Sequence, residues 1–456
     1  MRRIAIVGSG IAGLLTAHGL RRAGHEVTLY SDRTPRQWLE ESTPTGVAGR
    51  FHRALSYDRE LGLAHWDDNA ASIDGVALAF CAKPRNQFLT LNGRTSHRAM
   101  GIDVRAMSAR WMEELEQRGG KVVIEPVDVG RLDAIAAQND LTIVGVGKAD
   151  LCNLFERNAA RSVYTRPQRN LCMAIMRGRP VQEPGETMKT VRYMIVEPYG
   201  EAFWMPFVHK TGEALWAILF EAKPGSRMDR FGDVKSGDQA LARLRELMRE
   251  LFPWASAWLE PFTLADPRGW LVGAVTPTVR DPVGKLPSGR VVTGVGDTLM
   301  VFDPIGGQGA NNGTRMAKHL VTAVNARGDG PFDAEWMTRT FESFWENDAR
   351  HHWQFNNLLL EPMTGHGRLL MMAGYGSDGV ANTSAQRVAN AFADNFDDAR
   401  TFTPALLTAA AARKAIAGLG GHWATGLLRG VTGAARGQLL QAMGRQPGHP
   451  TAAAAL

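Results

Sequence analysis

The chain has 456 residues, which is long enough for two or three domains and a large hydrophobic core. Hydrophobic residues make up 44% of the sequence and charged residues 21%, a composition typical of a soluble globular protein. The formal net charge of +6 comes from scattered arginines. Because no basic stripe with interleaved aromatic residues stands out, we expect no nucleic-acid partner.

Three cysteines, Cys81, Cys152 and Cys172, show neither metal-ligand spacing nor a disulfide framework. They indicate buried thiols in a reducing compartment, and we expect no metal site. The sequence opens directly on a strand pattern rather than on a signal peptide, and no apolar run reaches membrane-spanning length. These features predict a cytoplasmic protein without a membrane partner.

Residues 3–32 have the pattern of a buried strand, a glycine-rich turn, a helix and a second strand. The turn carries Gly8, Gly10 and Gly13 in the GxGxxG spacing of a dinucleotide site. The first glycine permits a sharp turn, the second lets a pyrophosphate approach the backbone, and the third lets the helix pack closely on the sheet. The segment therefore predicts a dinucleotide site; the alternative is a glycine-rich turn without a ligand.

The helix that follows the turn offers its first N–H groups, around Ile11 and Ala12, and its positive end to the phosphates. An acidic residue about 20 positions beyond the last glycine commonly binds the adenosine ribose. Ser31 or Asp32, at the end of the second predicted strand, could fill that role, and Arg33 could reach the adenosine or its phosphates. This unit alone does not distinguish NAD from FAD.

In the middle of the chain the apolar period changes to two, which predicts strands over Thr190–Glu197, Ala202–Val208 and Ala214–Glu221. An amphipathic helix is predicted over Gly237–Phe252. The strands carry six aromatic side chains, so we expect an antiparallel sheet with the helix on it and with one apolar, aromatic face. That face is either an ordinary core or the roof of an apolar substrate pocket.

A second glycine-rich loop follows a buried strand pattern that ends at Gly296 and Asp297. It continues through residues 303–313 and leads into a helix predicted to end near Ala326. A strand-terminal Asp can hold a ribityl hydroxyl group, while loop amides and a helix N-terminus can face a flavin ring or its phosphates. Two such loops, far apart in sequence, fit the two ends of FAD better than NAD; the alternative is a second turn without a ligand.

The sequence beyond Phe332 is predicted to be helical and becomes rich in Ala and Gly after Thr403. Adjacent helical residues point to different faces, so His351 and His352 are interpreted as surface or capping residues rather than as joint metal ligands. The sequence of the tail predicts one or two short helices there, and residues 414–445 are weakly amphipathic and basic. Contact of that segment with a membrane surface is not favoured.

With both loops identified, the sequence resembles the glutathione-reductase-type FAD monooxygenases of aromatic hydroxylase fold. More narrowly, it resembles the styrene/indole monooxygenase family, the oxygenase components of two-component epoxidases. The tail beyond about residue 400 lies outside the resemblance. The matching stretches are residues 4–13, 27–35, 103–112, 140–148, 166–169, 294–311 and 394–396.

The resemblance implies an α/β fold, α+β overall, with a Rossmann-like GR2-type FAD-binding domain, an antiparallel-sheet substrate domain and C-terminal helices. We expect the FAD-binding domain to comprise residues 1–165 and 270–330, and the substrate domain residues 166–269. A helical region over 331–404 and an Ala/Gly-rich extension over 405–456 are expected to complete the chain.

The resemblance also implies the chemistry. Single-component hydroxylases carry an Asp-Gly pair where this chain, like the styrene/indole members, has Gly147-Lys148, and the sequence has no second GxGxxG motif for NAD(P)H. We therefore expect FAD to arrive in reduced form from a separate NAD(P)H-dependent flavin reductase. Reduced FAD and O2 would form a C4a-hydroperoxyflavin, which epoxidises or hydroxylates a small aromatic alkene in a dry pocket. A homodimer is left open.

Residue roles follow from the same resemblance. We expect Arg105 to lie near the pyrophosphate, and His52 either to hydrogen-bond the hydroperoxide as a catalytic residue or to be structural. Pro304 and Asn311 are the other expected catalytic positions. The residues expected to line the flavin ring are Pro304, Gly307, Gly309, Ala310 and Asn311.

Three further positions bear on the substrate. Ile73, Val76 and Ala99 stand where styrene-type members carry Tyr, His and Ser, whereas indole-type members have aliphatic residues and Ala there. They favour indole or a larger indole-like aromatic over styrene. The competing interpretations are a single-component NAD(P)H-dependent hydroxylase, a flavin halogenase or prenyl reductase, and a non-enzymatic flavin-binding module. The halogenase interpretation is weakened because the sequence has no clear Trp-x-Trp-x-Ile-Pro motif.

Overall fold

The computed structural model describes residues 1–46, 48–147, 150–182 and 185–443. Two sheets and a layer of C-terminal helices contain most of these residues. Lys148, which contributed to the family resemblance, and residues 444–456 of the predicted extension lie outside the described residues.

The strands of the described chain, in order, are β1 (Arg3–Val7), β2 (Glu26–Ser31), β3 (Ala48–Arg50), β4 (Ser72–Lys83), β5 (Asn86–Ile102), β6 (Lys121–Ile124), β7 (Leu141–Val144), β8 (Asn170–Arg177), β9 (Thr190–Val196), β10 (Gly200–Val208), β11 (Ala214–Ala222), β12 (Thr263–Leu264), β13 (Trp270–Ala274), β14 (Thr278–Val279), β15 (Val283–Lys285), β16 (Val291–Gly294) and β17 (Met300–Val301). The α-helices are α1 (Ile11–Arg22), α2 (Pro35–Glu40), α3 (His52–Glu60), α4 (Val104–Gln117), α5 (Val129–Ala136), α6 (Gly237–Leu251), α7 (Pro253–Leu259), α8 (Gln308–Ala326), α9 (Ala334–Phe344), α10 (Arg350–Leu360), α11 (Gly365–Gly374), α12 (Ser384–Asp394), α13 (Ala399–Phe402), α14 (Ala409–Gly418) and α15 (Trp423–Ala442).

The first sheet has the strand order β15-β16-β7-β1-β2-β6. Its strands run parallel except for β15. Strand β1 is apolar and buried along almost all of its length. Such a continuous apolar strand suits a sheet that is covered on both faces. Because β1 and β16 are parallel, the turns that lead from them toward α1 and α8 lie at the same carboxyl edge of the sheet. The predicted Rossmann-like unit is confirmed.

The second sheet is mostly antiparallel and has the order β12-β8-β11-β10-β9-β4-β5-β3, with β13 also paired to β8. Successive residues of a strand point to opposite faces. One face packs on α6 and α7, and the other packs on the helices α10 to α14. The predicted sheet with a helix laid on it is therefore present, and α6 is the helix predicted over Gly237–Phe252.

The aromatic side chains of this sheet do not share one face, so that part of the prediction is wrong. Trp204, Trp216 and Phe220 face α6 and α7, whereas the remaining rings face the C-terminal helices. Strand alternation divides them, because even-numbered positions of β10 point one way and odd-numbered positions the other. The rings that face the C-terminal helices are Tyr193, Phe203 and Phe207.

Strands β3 to β5 pair within the second sheet, although residues 1–165 were expected to belong to the FAD-binding part. Of these, β4 and β5 are long strands, and their pairing to β9 and β10 bridges more than a hundred residues of sequence, which a local pattern does not reveal. Helix α15 has 20 residues and is longer than the short helices predicted for the tail.

Candidate functional site

The two glycine-rich loops predicted to bind one cofactor lie against each other. A Cβ built on Gly296 would be 2.7 Å from the Cβ of Ala12, and one built on Gly313 would be 3.3 Å from the same atom. Gly296 has a φ of +64°, a left-handed conformation that glycine adopts most easily. The loop after β16 therefore reaches the start of α1 only because its residue at the contact has no side chain.

The first loop has the shape that a pyrophosphate requires. A Cβ on Gly13 would be 2.1 Å from the carbonyl oxygen of Gly8, and a Cβ on Gly8 would be 2.5 Å from that of Gly145. A Cβ on Gly10, by contrast, would meet no heavy atom of the described chain within 4 Å beyond its own neighbours. The loop is thus packed tightly on its inner side and open at Gly10, where the helix N–H groups begin, so it fits a dinucleotide phosphate.

The end of β2 holds the residues considered for the adenosine ribose. The hydroxyl groups of Ser9 and Ser31 are hydrogen-bonded at 2.7 Å, and Trp38 Nε1 donates to Ser9 Oγ at 3.1 Å. The Ser31 hydroxyl also donates to the Arg33 carbonyl and is buried. Asp32 is exposed, so of the two candidates its carboxylate is the more accessible to a ribose.

Arg33 and Arg105 are placed differently. The Arg33 guanidinium lies 4.9 Å from the centre of the Trp38 ring at the partly exposed end of β2. Arg105 is fully buried, with Nη2 donating to Asp103 at 2.7 Å and to Asp266 at 3.0 Å. Burial opposes the ionised form of Asp266, but hydrogen bonds from His209 and Arg105 lower the pKa of its carboxyl below the usual range. Arg105 thus faces two carboxylates in the described structure.

The loop predicted to face the flavin ring begins with a turn at Pro304–Gly306 and ends at Gly307, which has a φ of +60°. Asn311, in the first turn of α8, fixes this loop to a distant segment. Its Nδ2 donates to the carbonyl oxygens of Gly307 at 2.6 Å and Gly49 at 2.7 Å, and its Oδ1 accepts from the Phe51 N–H at 2.8 Å. The Asn311 side chain is therefore fully engaged in joining β3 to the loop.

Gly309 and Ala310, also in the first turn of α8, lie on the side of the helix that is less covered. A Cβ on Gly309 would find no heavy atom of the described residues within 4 Å outside its own turn. Ala310 is half-buried, unlike the buried Asn311 beside it. The start of α8 is therefore accessible along the line of these two residues, as a site for a planar ring requires.

A buried polar network behind this loop was not anticipated. His352 is fully buried, so the surface or capping role predicted for it is wrong. Its Nδ1 is 2.8 Å from Gln308 Oε1, and Gln308 Nε2 donates to the Gly306 and Phe396 carbonyls at 2.9 Å each. Because the amide oxygen of Gln308 accepts, His352 Nδ1 carries the proton. Burial, followed by Arg315 and Arg53, lowers the pKa of His352 well below 6.5, which keeps the ring neutral.

The same network includes Asp348, which receives hydrogen bonds from Arg53 at 2.5 Å and from Arg315 Nε at 2.7 Å. Asp348 lies in a π-helical turn, Trp345–Ala349, between α9 and α10. Such turns are rare and are frequently found at functional sites. The many polar residues between the two helices are a signal of this network that the sequence contains. The change of helical pitch has no such signal in the sequence.

The predicted substrate residues lie together on the face of the second sheet beside the loop. Ile73 and Ala99 are direct partners across β4 and β5, and Val76 is three residues farther along β4. All three are buried in one apolar cluster with Phe51. A Cβ on Gly307 would be 3.6 Å from the Phe51 ring, which places this cluster next to the loop.

Aromatic rings surround that cluster. Phe396 is central, with ring-centre distances of 5.9 Å to Phe51, 5.1 Å to Phe355 and 6.2 Å to Tyr193. Phe203 lies 4.8 Å beyond Tyr193, whose hydroxyl donates to the Ile305 carbonyl at 3.1 Å. Rings from the sheet and from the C-terminal helices thus converge on the predicted flavin loop, an arrangement that can hold a flat apolar molecule.

His52 begins α3, one residue after Phe51. Its ring stacks on that of His97 at 3.7 Å, and its Nε2 is 3.3 Å from Ser56 Oγ. Burial and the neighbouring His97 lower the pKa of His52. The imidazole is therefore a neutral, half-buried group in the described structure, held by a second imidazole that the sequence did not single out.

Three buried carboxyl groups lie at the end of the second sheet nearest the loop. Glu201 and Glu221 are partners across β10 and β11, and Asp303 directly precedes Pro304. Arg169 pairs with Glu201. Burial, then Asp303 and Glu201, raise the pKa of Glu221 well above its usual range, and burial raises the pKa of Asp303 to about 7. At neutral pH this group therefore holds protons.

The residues that the structure describes contain no cluster of three or more His, Cys, Asp or Glu side chains that could hold a metal ion. Within the same residues, no helix is both long and apolar enough to cross a bilayer.

Comparison with known proteins is consistent with this geometry. The family described as the styrene monooxygenase A substrate-binding domain matches residues 147–257, and an NAD(P)-binding Rossmann-like domain matches residues 6–35. Styrene monooxygenase StyA of Pseudomonas fluorescens is 30% identical over 326 residues, which cover 70% of this chain and 75% of that protein.

Solved structures share the fold at lower sequence identity. A flavoprotein/dehydrogenase from Cytophaga hutchinsonii is 10% identical with a TM-score of 0.59, covering 92% of this chain and 98% of that one. The flavin-dependent halogenase CmlS is 15% identical with a TM-score of 0.57, covering 85% of this chain and 67% of that one. At these identities the likeness establishes the fold alone, and it does not favour halogenase chemistry.

Proposed function

The chain belongs to the styrene monooxygenase family, and from that premise we propose that it is the oxygenase component of a two-component FAD monooxygenase acting on indole or an indole-like aromatic. In this proposal a separate NAD(P)H-dependent reductase delivers FAD in reduced form. One atom of O2 enters the substrate, the other leaves as water, and the two electrons come from the reduced flavin.

One observation carries the proposal: the loop at Gly296 touches the N-terminus of α1 at Ala12, while the same loop system ends at Gly307 against the ring of Phe51. A single extended cofactor can therefore place its pyrophosphate at Gly10 and its ring system beside the aromatic cluster. When bound, reduced FAD supplies the oxygen chemistry, and the protein supplies the surroundings.

The described residues suit two tasks, positioning the loop and excluding water. Asn311 and Gln308 hold the loop that faces the ring, through bonds to Gly49, Phe51 and Gly306. The rings around Phe396 keep water from the reacting atoms, which limits wasteful release of hydrogen peroxide. An electron-rich double bond needs little acid–base assistance, so positioning and dryness are the main contributions of the chain.

The buried carboxyl groups add a proton store beside the loop. Glu221 and Asp303 have raised pKa values, caused first by burial, and both are at the end of the sheet that meets Pro304. We assign His52 a lesser role, because it lies at the rim of the cluster and is stacked on His97. A neutral imidazole there can accept or donate a hydrogen bond but carries no charge toward an apolar substrate.

The preference for indole rests on Ile73, Val76 and Ala99. Their side chains keep the sheet face beside Phe51 apolar, and Ala99, the direct partner of Ile73 across β4 and β5, has the smallest side chain of the three. Tyr, His and Ser at these positions would instead present three polar groups and a larger ring. The proposed substrate is therefore larger than that of a styrene-type site, and it needs fewer polar side chains in its pocket.

The proposal is tested with the purified chain, FAD, NADH and an unrelated flavin reductase, with catalase present to remove hydrogen peroxide. We expect indigo from indole and a slower conversion of styrene to its oxide, both requiring the reductase and O2. If the chain alone oxidised NADH or NADPH at a catalytic rate, it would be a single-component hydroxylase. Failure to oxygenate any aromatic alkene while binding reduced FAD would support a flavin-binding module instead.

A further inference from the structure

Helix α15 docks on the body of the protein through glycines. Gly426, Gly430, Gly433 and Gly437 recur at spacings of four, three and four residues, and all four are buried. A Cβ on Gly430 would be 2.3 Å from the Cβ of Met372, and one on Gly433 would be 2.0 Å from the ring of Tyr375. The backbone of α15 therefore lies directly against the end of α11, which only residues without side chains allow.

The opposite side of α15 carries its large apolar residues. Leu428 is 64% exposed, Val431 51%, Leu439 62% and Met443, just after the helix, 65%. At 100° per residue, Leu428, Val431 and Leu439 lie within one stripe that is centred roughly opposite the glycine stripe. A helix of a globular protein normally buries its leucines and exposes small or polar residues, and α15 has the reverse arrangement.

The sequence segment that carries this face has basic residues but no acidic ones. No Asp or Glu occurs in the sequence after Asp398. Between that residue and Met443 the basic residues are Arg400, Arg413, Lys414, Arg429 and Arg436. The Arg413 guanidinium lies 4.6 Å from the ring centre of Trp423, which opens α15 and is itself partly exposed.

We propose that this face, formed by Leu428, Val431, Leu439 and Met443, binds the surface of an anionic lipid bilayer, with α15 lying flat. An exposed apolar stripe that is bordered by Arg429 and Arg436, on a helix that lacks carboxylates, matches the chemistry of such a surface. The inference does not depend on the proposed enzymatic activity, and it revises the expectation that the chain has no membrane partner.

Charge distinguishes the bilayer from a second copy of the chain. A two-fold symmetric contact places the same patch on both sides of the interface. Arg429 and Arg436 of each copy would then approach the same helix of the other copy, which carries no acidic residue, so that like charges would meet across the interface. A bilayer of anionic lipids supplies the opposite charge and an apolar layer together.

The experiment is flotation of the full chain with vesicles of phosphatidylcholine alone or with one-quarter phosphatidylglycerol. We expect at least tenfold stronger binding to the anionic vesicles at 0.1 M salt, and a marked loss at 0.5 M salt. Combined Leu428→Gln, Val431→Gln and Leu439→Gln substitutions should reduce binding at least tenfold, since they remove the apolar stripe. Arg436→Gln should mainly weaken the preference for anionic lipid.

The matched control is Val163→Gln with Val380→Gln, because these valines are 68% and 64% exposed but lie outside α15. The control should float like the unaltered chain, and far-ultraviolet circular dichroism should show that every variant is folded. Absence of flotation with both vesicles would overturn the inference. So would equal flotation of the triple variant, or light scattering that shows a dimer which the triple variant abolishes, because the face would then bind another copy.

Discussion

The side chain of Asn311 accepts a hydrogen bond from the backbone N–H of Phe51, with 2.8 Å between Oδ1 and N. The two residues are 260 positions apart in sequence. The bond fixes the Phe51 ring beside Gly307 and so joins the predicted flavin loop to the aromatic cluster that is proposed to hold the substrate.

Removing this connection should uncouple the reaction. In Asn311→Leu the Phe51 N–H and the carbonyl of Gly49 lose their partner, at a cost of about 1–3 kcal/mol for a buried group. We expect a several-fold larger share of the reducing equivalents to appear as hydrogen peroxide, with Asn311→Asp intermediate because it retains the acceptor oxygen. Peroxide and product are measured together during NADH-driven turnover.

The control is Asn312→Leu. Asn312 is equally buried, but its Nδ2 contacts Met300 Sδ and not the segment around Phe51. If both leucine variants leaked peroxide to the same degree, the effect would come from general disturbance of α8 and not from the bond to Phe51.

A second prediction concerns the contact between the two loops. In Gly296→Ala the new Cβ would be 2.7 Å from Ala12 Cβ, so the loops must separate. We expect at least tenfold weaker binding of oxidised FAD, measured by flavin fluorescence. Gly289→Ala is the control, because Gly289 also has a positive φ, +84°, but lies in an open turn. Both variants should lose about 1–2 kcal/mol of stability from left-handed strain, and only Gly296→Ala should lose FAD.

Sequence predicts the first unit of the fold well because its signals are local. The strand before Gly8, the helix after Gly13 and the turn at Gly296 each depend on spacing within a few residues, and the structure contains all three. The Asp103 side chain caps α4 by accepting from the Arg105 N–H, which is another local signal. Such features are set by backbone chemistry that any folded context retains.

The parts that could not be predicted depend on long-range packing. The pairing of β4 with β9, the hydrogen bond from Gln308 to Phe396 and the burial of His352 each join segments that are far apart in sequence. A histidine pair on a helix has no local pattern that distinguishes an exposed ring from a buried one. The glycine face of α15 was likewise hidden, because a run of Gly and Ala suggests a weak helix and not a close contact.

A third prediction concerns His352. Because its protonated Nδ1 holds Gln308, the substitution His352→Leu should release the Gly306 carbonyl and weaken FAD binding about tenfold, the effect of losing one buried hydrogen bond. His352→Asn should restore much of the affinity, since its amide N–H can replace Nδ1. His351→Asn, at the neighbouring and partly exposed position, is the control and should bind FAD normally. Equal losses of FAD affinity in all three variants would contradict the prediction, because any substitution in α10 would then have the same effect.

The last prediction follows from the raised pKa of Asp303. Its carboxyl titrates near 7 in the folded chain, because of burial, and near 3.8 when unfolded. The folded state therefore holds a proton that the unfolded state has lost, so this residue makes folding less favourable as the pH rises from about 4 to 7 and changes nothing further above that. In Asp303→Asn the group no longer titrates. We expect the stability of this variant relative to the unaltered chain to rise by about 2–3 kcal/mol between pH 5 and pH 8.

Urea unfolding of the protein without FAD at pH 5, 6, 7 and 8 measures the difference. Asp378→Asn is the control, because hydrogen bonds from the backbone of Ala381 and Val380 lower the pKa of Asp378. A lowered pKa affects stability only below about pH 4, so its difference from the unaltered chain should be constant over the whole range. A constant difference for Asp303→Asn as well would mean that Asp303 is ionised in the folded chain at pH 5 and that the proton beside Pro304 resides on Glu221.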